Sequence, residues 1–350
     1  NNIKISLSIP GMDENYDFNI LEQKEYISEN LINKTNIPLD FDFIKVDENN
    51  KIIFIEKGRH VIDKSIVFPK GYLIKATEGT SIQLIRGANL ISYSPLSFIG
   101  NAEDPIVISS DSTGGLVVLN TKVTSNIKYI ELKNLNSYLL PGSNISGGLN
   151  FYEANVNLQN CLFINTSSED AINIVRSEFA IDKCIFIDSK SDAIDIDFSR
   201  GKLSNLVFKN SGNDGIDISS SIINIENVRI DLSSDKGISI GENSFATIDG
   251  FQISEAKIGI AVKDKSTVII GQKPTYKNLI NNTDIGIAVY QKKTEFGPAE
   301  VHIGNRADVY TDLIFSNTKK HFVIERKSFL ELGNQEFTNF KENVYNQIYN

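Results

Sequence analysis

Histidine and cysteine, the residues behind most metal and nucleophilic chemistry, are scarce: three and two respectively in 350 residues. His60, His302 and His321 lie far apart in the chain. Their spacing builds neither a zinc-ligand set nor a serine–histidine–carboxylate triad. There is no Walker loop and no dinucleotide fingerprint. No stretch reaches the roughly 18–20 consecutive apolar residues of a membrane-spanning helix, so direct membrane insertion is not expected. Cations are outnumbered, with 35 Lys and Arg against 44 Asp and Glu and a net charge of -9. That balance argues against nucleic acid as a ligand, because phosphates need clustered Lys and Arg. The sequence starts at Asn1 with neither an initiator Met nor an apolar leader, which reads as a mature or excised form.

What the chain does have is a repeat. The segments Asp170-Ala171-Ile172-Asn173-Ile174, Asp192-Ala193-Ile194-Asp195-Ile196, Asp214-Gly215-Ile216-Asp217-Ile218, Lys236-Gly237-Ile238-Ser239-Ile240 and Ile258-Gly259-Ile260-Ala261-Val262 align without a gap, each 22 residues after the last. The frame returns at Gly286 after 27 residues and is present earlier at Gly148. A second strand repeats with it, from Cys161-Leu162-Phe163 through Cys184-Ile185-Phe186 and Leu206-Val207-Phe208 to Phe251-Gln252-Ile253. Apolar residues at alternate positions are the period of a strand with one buried face.

Strands this short cannot bury a face alone. Stacked at about 4.8 Å per coil they enclose one continuous core and pair each backbone group with the coils above and below. The expected fold is all-β, a right-handed parallel β-helix of ~22-residue coils. It comprises an N-terminal strand and helix cap region (1–50), the β-helix proper (51–336) and a C-terminal cap (337–350) that covers the open edge. The N-terminal cap is expected as a strand at Ile3–Ile9 and a helix from Phe18 to Asn33 with Asn19 as its N-cap. Residues 134–147 and 271–284 read as inserted loops. Cys161 and Cys184 fall at equivalent inward positions on successive coils and read as stacked core residues.

The isoleucines of each Gly-Ile-x-Ile strand point inward, so x points out. The outward column reads Asn150, Asn173, Asp195, Asp217, Ser239, Ala261, Ala288; the next reads Tyr152, Val175, Asp197, Ser219, Gly241, Lys263, Tyr290. Asp195 and Asp217 are then about 4.8 Å apart at Cα, and Asp195 and Asp197 about 6.7 Å. Carboxylates so placed raise a pKa, bind a cation or lean into solvent. Their spacing suits the acid and base of glycoside hydrolysis, and equally an oxygen-lined calcium site. Asp195, Asp197 and Asp217 are therefore the candidate catalytic residues and the candidate calcium ligands. Asn173, Arg176 and Lys263 are candidate substrate contacts, and Tyr152 and Tyr290 candidate stacking platforms for sugar rings. Asp170, Asp192 and Asp214, just ahead of the strands, read as acceptors for turn N–H groups.

The regular coils at 145–290, with first coils around Gly58-Arg59-His60-Val61-Ile62 and Pro69-Lys70-Gly71-Tyr72, resemble the bacterial right-handed β-helix repeat proteins of the pectate-lyase-like superfamily. That superfamily holds polysaccharide lyases, hydrolases, epimerases and phage tailspikes, and many surface proteins. The resemblance implies a secreted, periplasmic or cell-surface protein whose partner is a polysaccharide or another surface protein. Gly212-Asn213-Asp214-Gly215-Ile216-Asp217 is similar to the Asn-Thr-Asp-Gly-Ile-Asp motif of polygalacturonases. The Asp pair of their next coil is here Asp235 and Lys236, and their histidine is replaced within Ala256-Lys257-Ile258. A working polygalacturonase is thereby excluded. Two readings remain: a non-catalytic protein that binds a glycan or a protein on its parallel-sheet face, and a carbohydrate-active enzyme using the acidic column.

Overall fold

The computed structural model describes residues 3–8, 15–20, 40–137, 145–271, 277–304, 313–333, 335–337 and 340–349. It divides into two units, residues 1–37 and 38–350.

In the first unit the strands Ile3–Ser8 and Asn15–Ile20 pair antiparallel, from Ile3 opposite Ile20 to Ser8 opposite Asn15. The first strand falls where the sequence places it. The N-terminal helix is corrected: Phe18, Asn19 and Ile20 lie in the second strand. Asn15-Tyr16-Asp17-Phe18-Asn19-Ile20 alternates polar and apolar, the period of a strand, and that local pattern outweighs the weaker helical spacing read beyond it. The rest of that expected helix lies outside the described residues.

The second unit is a right-handed parallel β-helix. One coil shows its plan: strand Asp170–Val175 lies on a first sheet, Glu178–Asp182 on a second and Ile185–Ser189 on a third, before Asp192–Asp197 returns to the first. Successive coils stack in parallel register, with Asn173 beside Asp195, Ile181 beside Leu203 and Phe186 beside Phe208. The first sheet continues this way from Ile66–Phe68 to Lys320–Glu325. The opening coil is closed by Ile44–Asp47, which pairs antiparallel with Ile52–Ile55. The insertion expected at 271–284 is shorter than read, because a strand resumes at Asn278 and its Leu279 pairs with Gln252. That pairing returns Leu279 and Ile280 to the frame of the third sheet after the extra residues.

Aligned coils turn each sequence column into a ladder. Ile172, Ile194, Ile216, Ile238 and Ile260 are all fully buried. On the third sheet the Phe163, Phe186 and Phe208 rings stack with centroids 4.4 and 5.0 Å apart, contacts each worth about 0.5–1.5 kcal/mol beyond burial. Cys161 and Cys184 are free and buried within the same core. The small-residue column sits where the first sheet begins against the third: a Cβ on Gly237 would lie 2.6 Å from the Ile253 side chain and 2.7 Å from the Gly259 carbonyl.

The bend between the first and second sheets carries a ladder that alternation does not announce. The N–H groups of Ser177, Ser199, Ser221 and Ser244 donate to the hydroxyls of Ser199, Ser221, Ser244 and Ser266, at 2.8–3.1 Å. Each hydroxyl replaces a strand bond lost at the corner, so these four buried N–H groups are all paired.

Candidate functional site

The outward face of the first sheet changes character along the stack. Upstream it is closed: Val117 and Asn150 are buried, and the Asn150 amide folds onto its own strand, accepting from the Gly147 N–H at 2.9 Å and donating to the Gly147 carbonyl at 2.6 Å.

The middle stretch is acidic. Asn173, Asp195, Asp217 and Ser239 are neighbours in register, and Val175, Asp197 and Ser219 form the parallel column. The Asn173 amide donates to an Asp195 carboxyl oxygen at 2.6 Å. Burial pushes the Asp195 carboxyl well above the usual range, and the Asp170, Asp197 and Asp217 charges add to this. Asp197 is raised to about 6, by burial first and then by Asp217 and Glu242, against the opposing charges of Lys293 and Arg176. One Asp217 oxygen accepts its neighbour Ile218's N–H at 3.0 Å and lies 3.9 Å from the Lys263 ammonium. The three predicted acids are therefore brought together, on two adjacent coils.

A second acidic row lies beside the first. Asp192 accepts the Asp214 N–H and the Asn213 amide, both at 2.7 Å, and Asp214 accepts the Lys236 N–H at 3.0 Å. This is the turn role their sequence context suggests. The missed part is that the same carboxyls join the site electrostatically. Burial raises Asp170 to about 8, Asp192 to about 6 and Asp214 to about 7, with neighbouring carboxylates adding to each. The signal was present as a column of aspartates 22 residues apart.

Flanking the acids is an aromatic and cationic edge. An Arg176 guanidinium N–H donates to the Tyr152 hydroxyl at 2.6 Å. The guanidinium carbon lies 5.6 Å from the Tyr152 ring centre and 5.1 Å from that of Phe198. Tyr152 is 37% and Phe198 55% exposed. A shallow groove of about 500 Å³ follows this edge, lined among others by Arg176, Phe198, Arg200 and Ile222. Phe198 was not singled out from sequence. It occupies a turn position with φ of 50°, where a bulky residue stands clear of the coil.

Downstream the face is closed again. Ser239, Ala261, Ala288 and Tyr290 are fully buried. Over them lies the C-terminal helix Val344–Tyr349, whose Val344 shares a cluster with Ala261, Ala288, Tyr290 and Val323, with Tyr345 and Ile348 packed alongside. Three expectations are corrected here. Tyr290 is no exposed platform, because its ring lies under the helix, 6.4 Å from that of Tyr345. Lys263 is 7% exposed and faces Asp217, so it is committed to a carboxylate of the protein. Asn173 is likewise buried and acts through Asp195.

Among the described residues no group of three or more His, Cys, Asp or Glu could hold a metal. Asp195 is engaged by an amide and Asp217 faces an ammonium, both donors that compete with a cation. No helix among the described residues is long and apolar enough to cross a membrane.

The family described as a right-handed β-helix region matches residues 170–306, the coils that carry both acidic rows and the start of the covered stretch. No curated protein matches the sequence. Among solved structures, the periplasmic alginate epimerase AlgG is similar at 11% identity over 87% of this chain and 81% of its own, with a TM-score of 0.48. The catalytic domain of GH87 alpha-1,3-glucanase in complex with nigerose is similar at 13% identity over 81% of this chain and 63% of its own, with a TM-score of 0.46.

Proposed function

Starting from a right-handed β-helix with one open acidic stretch on its parallel sheet, we propose that this protein binds a neutral polysaccharide there, outside the cell or at its surface. The observation that carries the reading is the crowding of Asp195, Asp197 and Asp217 beside the exposed Tyr152–Arg176–Phe198 edge. Carboxyls accept from sugar hydroxyls, or donate to them where they hold a proton. Aromatic rings with a polar handle pack against the apolar face of a pyranose. A uronate polymer fits poorly, since its carboxylates would meet the acidic rows while Lys236 and Lys263 already face Asp214 and Asp217.

Titration calorimetry with neutral and uronic-acid oligosaccharides tests this. Binding of a neutral glycan, weakened about tenfold or more in Phe198→Ala and in Asp195→Asn, is expected; preference for the uronate would sink the reading. A second reading, hydrolysis, is favoured by one observation: Asp197, half-buried on the strand of Asp195 and beside Arg176, is held at about 6, where part of it can donate a proton near neutral pH. New reducing ends on incubation, abolished in Asp197→Asn or Asp195→Asn, would establish it. Activity unchanged in both variants would remove these residues from the chemistry.

A further inference from the structure

We propose that the C-terminal helix sits in a continuation of the glycan site and competes with the glycan for it. This rests on the open stretch being a glycan site, and extends that site beneath the helix. Ser239 follows Asp217 in register and Ala261 and Ala288 follow Ser239, so the covered face is the same face carried further. The helix holds it with groups that imitate a sugar chain. The Tyr349 hydroxyl donates to the Asp235 carboxylate at 3.1–3.2 Å, as a sugar hydroxyl would. Its ring lies 4.3 Å from the Lys257 ammonium and 5.6 Å from that of Lys236. The Tyr345 ring stacks on Tyr290 as a pyranose would.

The seat is imperfect for the helix. The Tyr290 hydroxyl is buried beneath it and makes no hydrogen bond of ordinary geometry, although the Tyr349 hydroxyl of the helix lies near enough to interact with it. A hydroxyl-rich ligand would satisfy it. The helix has only six residues, too few to persist alone in water, so its stability is that of its contacts. Its first N–H is met by Glu325 at 3.1 Å, which tethers the near end while the Tyr349 end reaches back over the coil of Asp235.

The test uses full-length variants and neutral gluco- and manno-oligosaccharides of increasing length. Val344→Asp places a charge against the apolar seat, and Tyr349→Phe removes only the hydroxyl that bonds Asp235. Hydrogen exchange across 344–349 reports release of the helix without reference to glycan. Short oligosaccharides, confined to the open stretch, should bind all three proteins alike. Long ones should speed exchange at 344–349 in the wild type and bind Val344→Asp about tenfold or more tightly, since affinity scales with the fraction of open protein. Tyr349→Phe should show a smaller gain in the same direction. Equal affinity for long glycans despite released helix would overturn the competition and leave the open site standing. Unaltered exchange at 344–349 in both variants would also overturn it, by showing that these contacts do not hold the helix. Binding of no glycan by any of the three would remove both readings together.

Discussion

Residues 170–219 and residues 236–290 are consecutive lengths of one coil stack, with the same 22-residue frame as far as Val262 and the same isoleucine ladder beneath. Their outward residues differ. The first length presents Asp192, Asp195, Asp197, Asp214 and Asp217; the second presents Ser239, Ala261 and Ala288 and is covered by the C-terminal helix. In the covered length small side chains lie under Val344 of the helix, with Tyr345 and Ile348 packed alongside. The acidic length runs against stability, because burial and mutual repulsion raise its carboxyl pKa values. The carboxyl cost thus falls on the acidic length and sets it apart from its neighbour.

If the two lengths differ only in what lies outside, truncating the core under either should weaken the whole stack. Phe186→Ala, which removes the middle ring of the phenylalanine stack, is expected to cost about 3–5 kcal/mol in denaturant unfolding. Ile253→Ala, under the covered length, should cost about 2–5 kcal/mol. A large loss at one site with none at the other would show two independently stable regions and break the comparison. Next in size is Ser221→Ala, which leaves the buried Ser199 N–H without its acceptor, a loss of about 1–3 kcal/mol. It should equal the loss from Ser244→Ala, because the serine ladder passes through both lengths unchanged.

The contrast also measures how far the sequence could be read. The coil frame was legible because a 22-residue period with alternating isoleucines has one physical solution, and the columns it implies match the observed register residue for residue, from Asn173 and Asp195 to Lys263 and Tyr290. Proximity of Asp195, Asp197 and Asp217 followed directly. Coverage did not follow. Nothing in Tyr290 or Lys263 signals that a segment from the far end of the chain folds over their part of the face, since a helix docking on a sheet is a long-range contact without a period of its own. The expected N-terminal helix is overturned at its start, where a short alternating run, Asn15–Ile20, outweighs the helical spacing.

The acidic cost can be tested by pH. Asp192 and Asp197 are raised to about 6 and Asp214 to about 7, from 3.8. A carboxyl whose folded pKa lies above its unfolded value binds its proton more tightly when folded. Stability is therefore greatest below about pH 4 as far as these groups act, and falls as pH rises through 4 to 7. Asp197→Asn should raise the melting temperature at pH 8, by an amount corresponding to about 0.2–1 kcal/mol of relieved like-charge repulsion, and give no gain at pH 4. The covered length, tested with Ser239→Ala, should show no such dependence on pH.

The smallest stability effect is expected at the edge of the open length, and it separates function from folding most cleanly. Arg176 is exposed and bonds outward, to the Tyr152 hydroxyl and across the Phe198 ring. Arg176→Ala removes no core atom and no coil-to-coil strand bond, so unfolding should move by no more than about 0.5 kcal/mol. The same change frees Tyr152 and Phe198 to leave the geometry that presents their rings, and neutral glycan affinity should fall about tenfold, equivalent to about 1.4 kcal/mol. Arg176→Lys should recover little, because an ammonium cannot lie flat between two rings while donating to a phenol. Full binding by Arg176→Ala would mean that the groove beside the acids plays no part in holding the sugar, and that the acidic rows must recognise it alone.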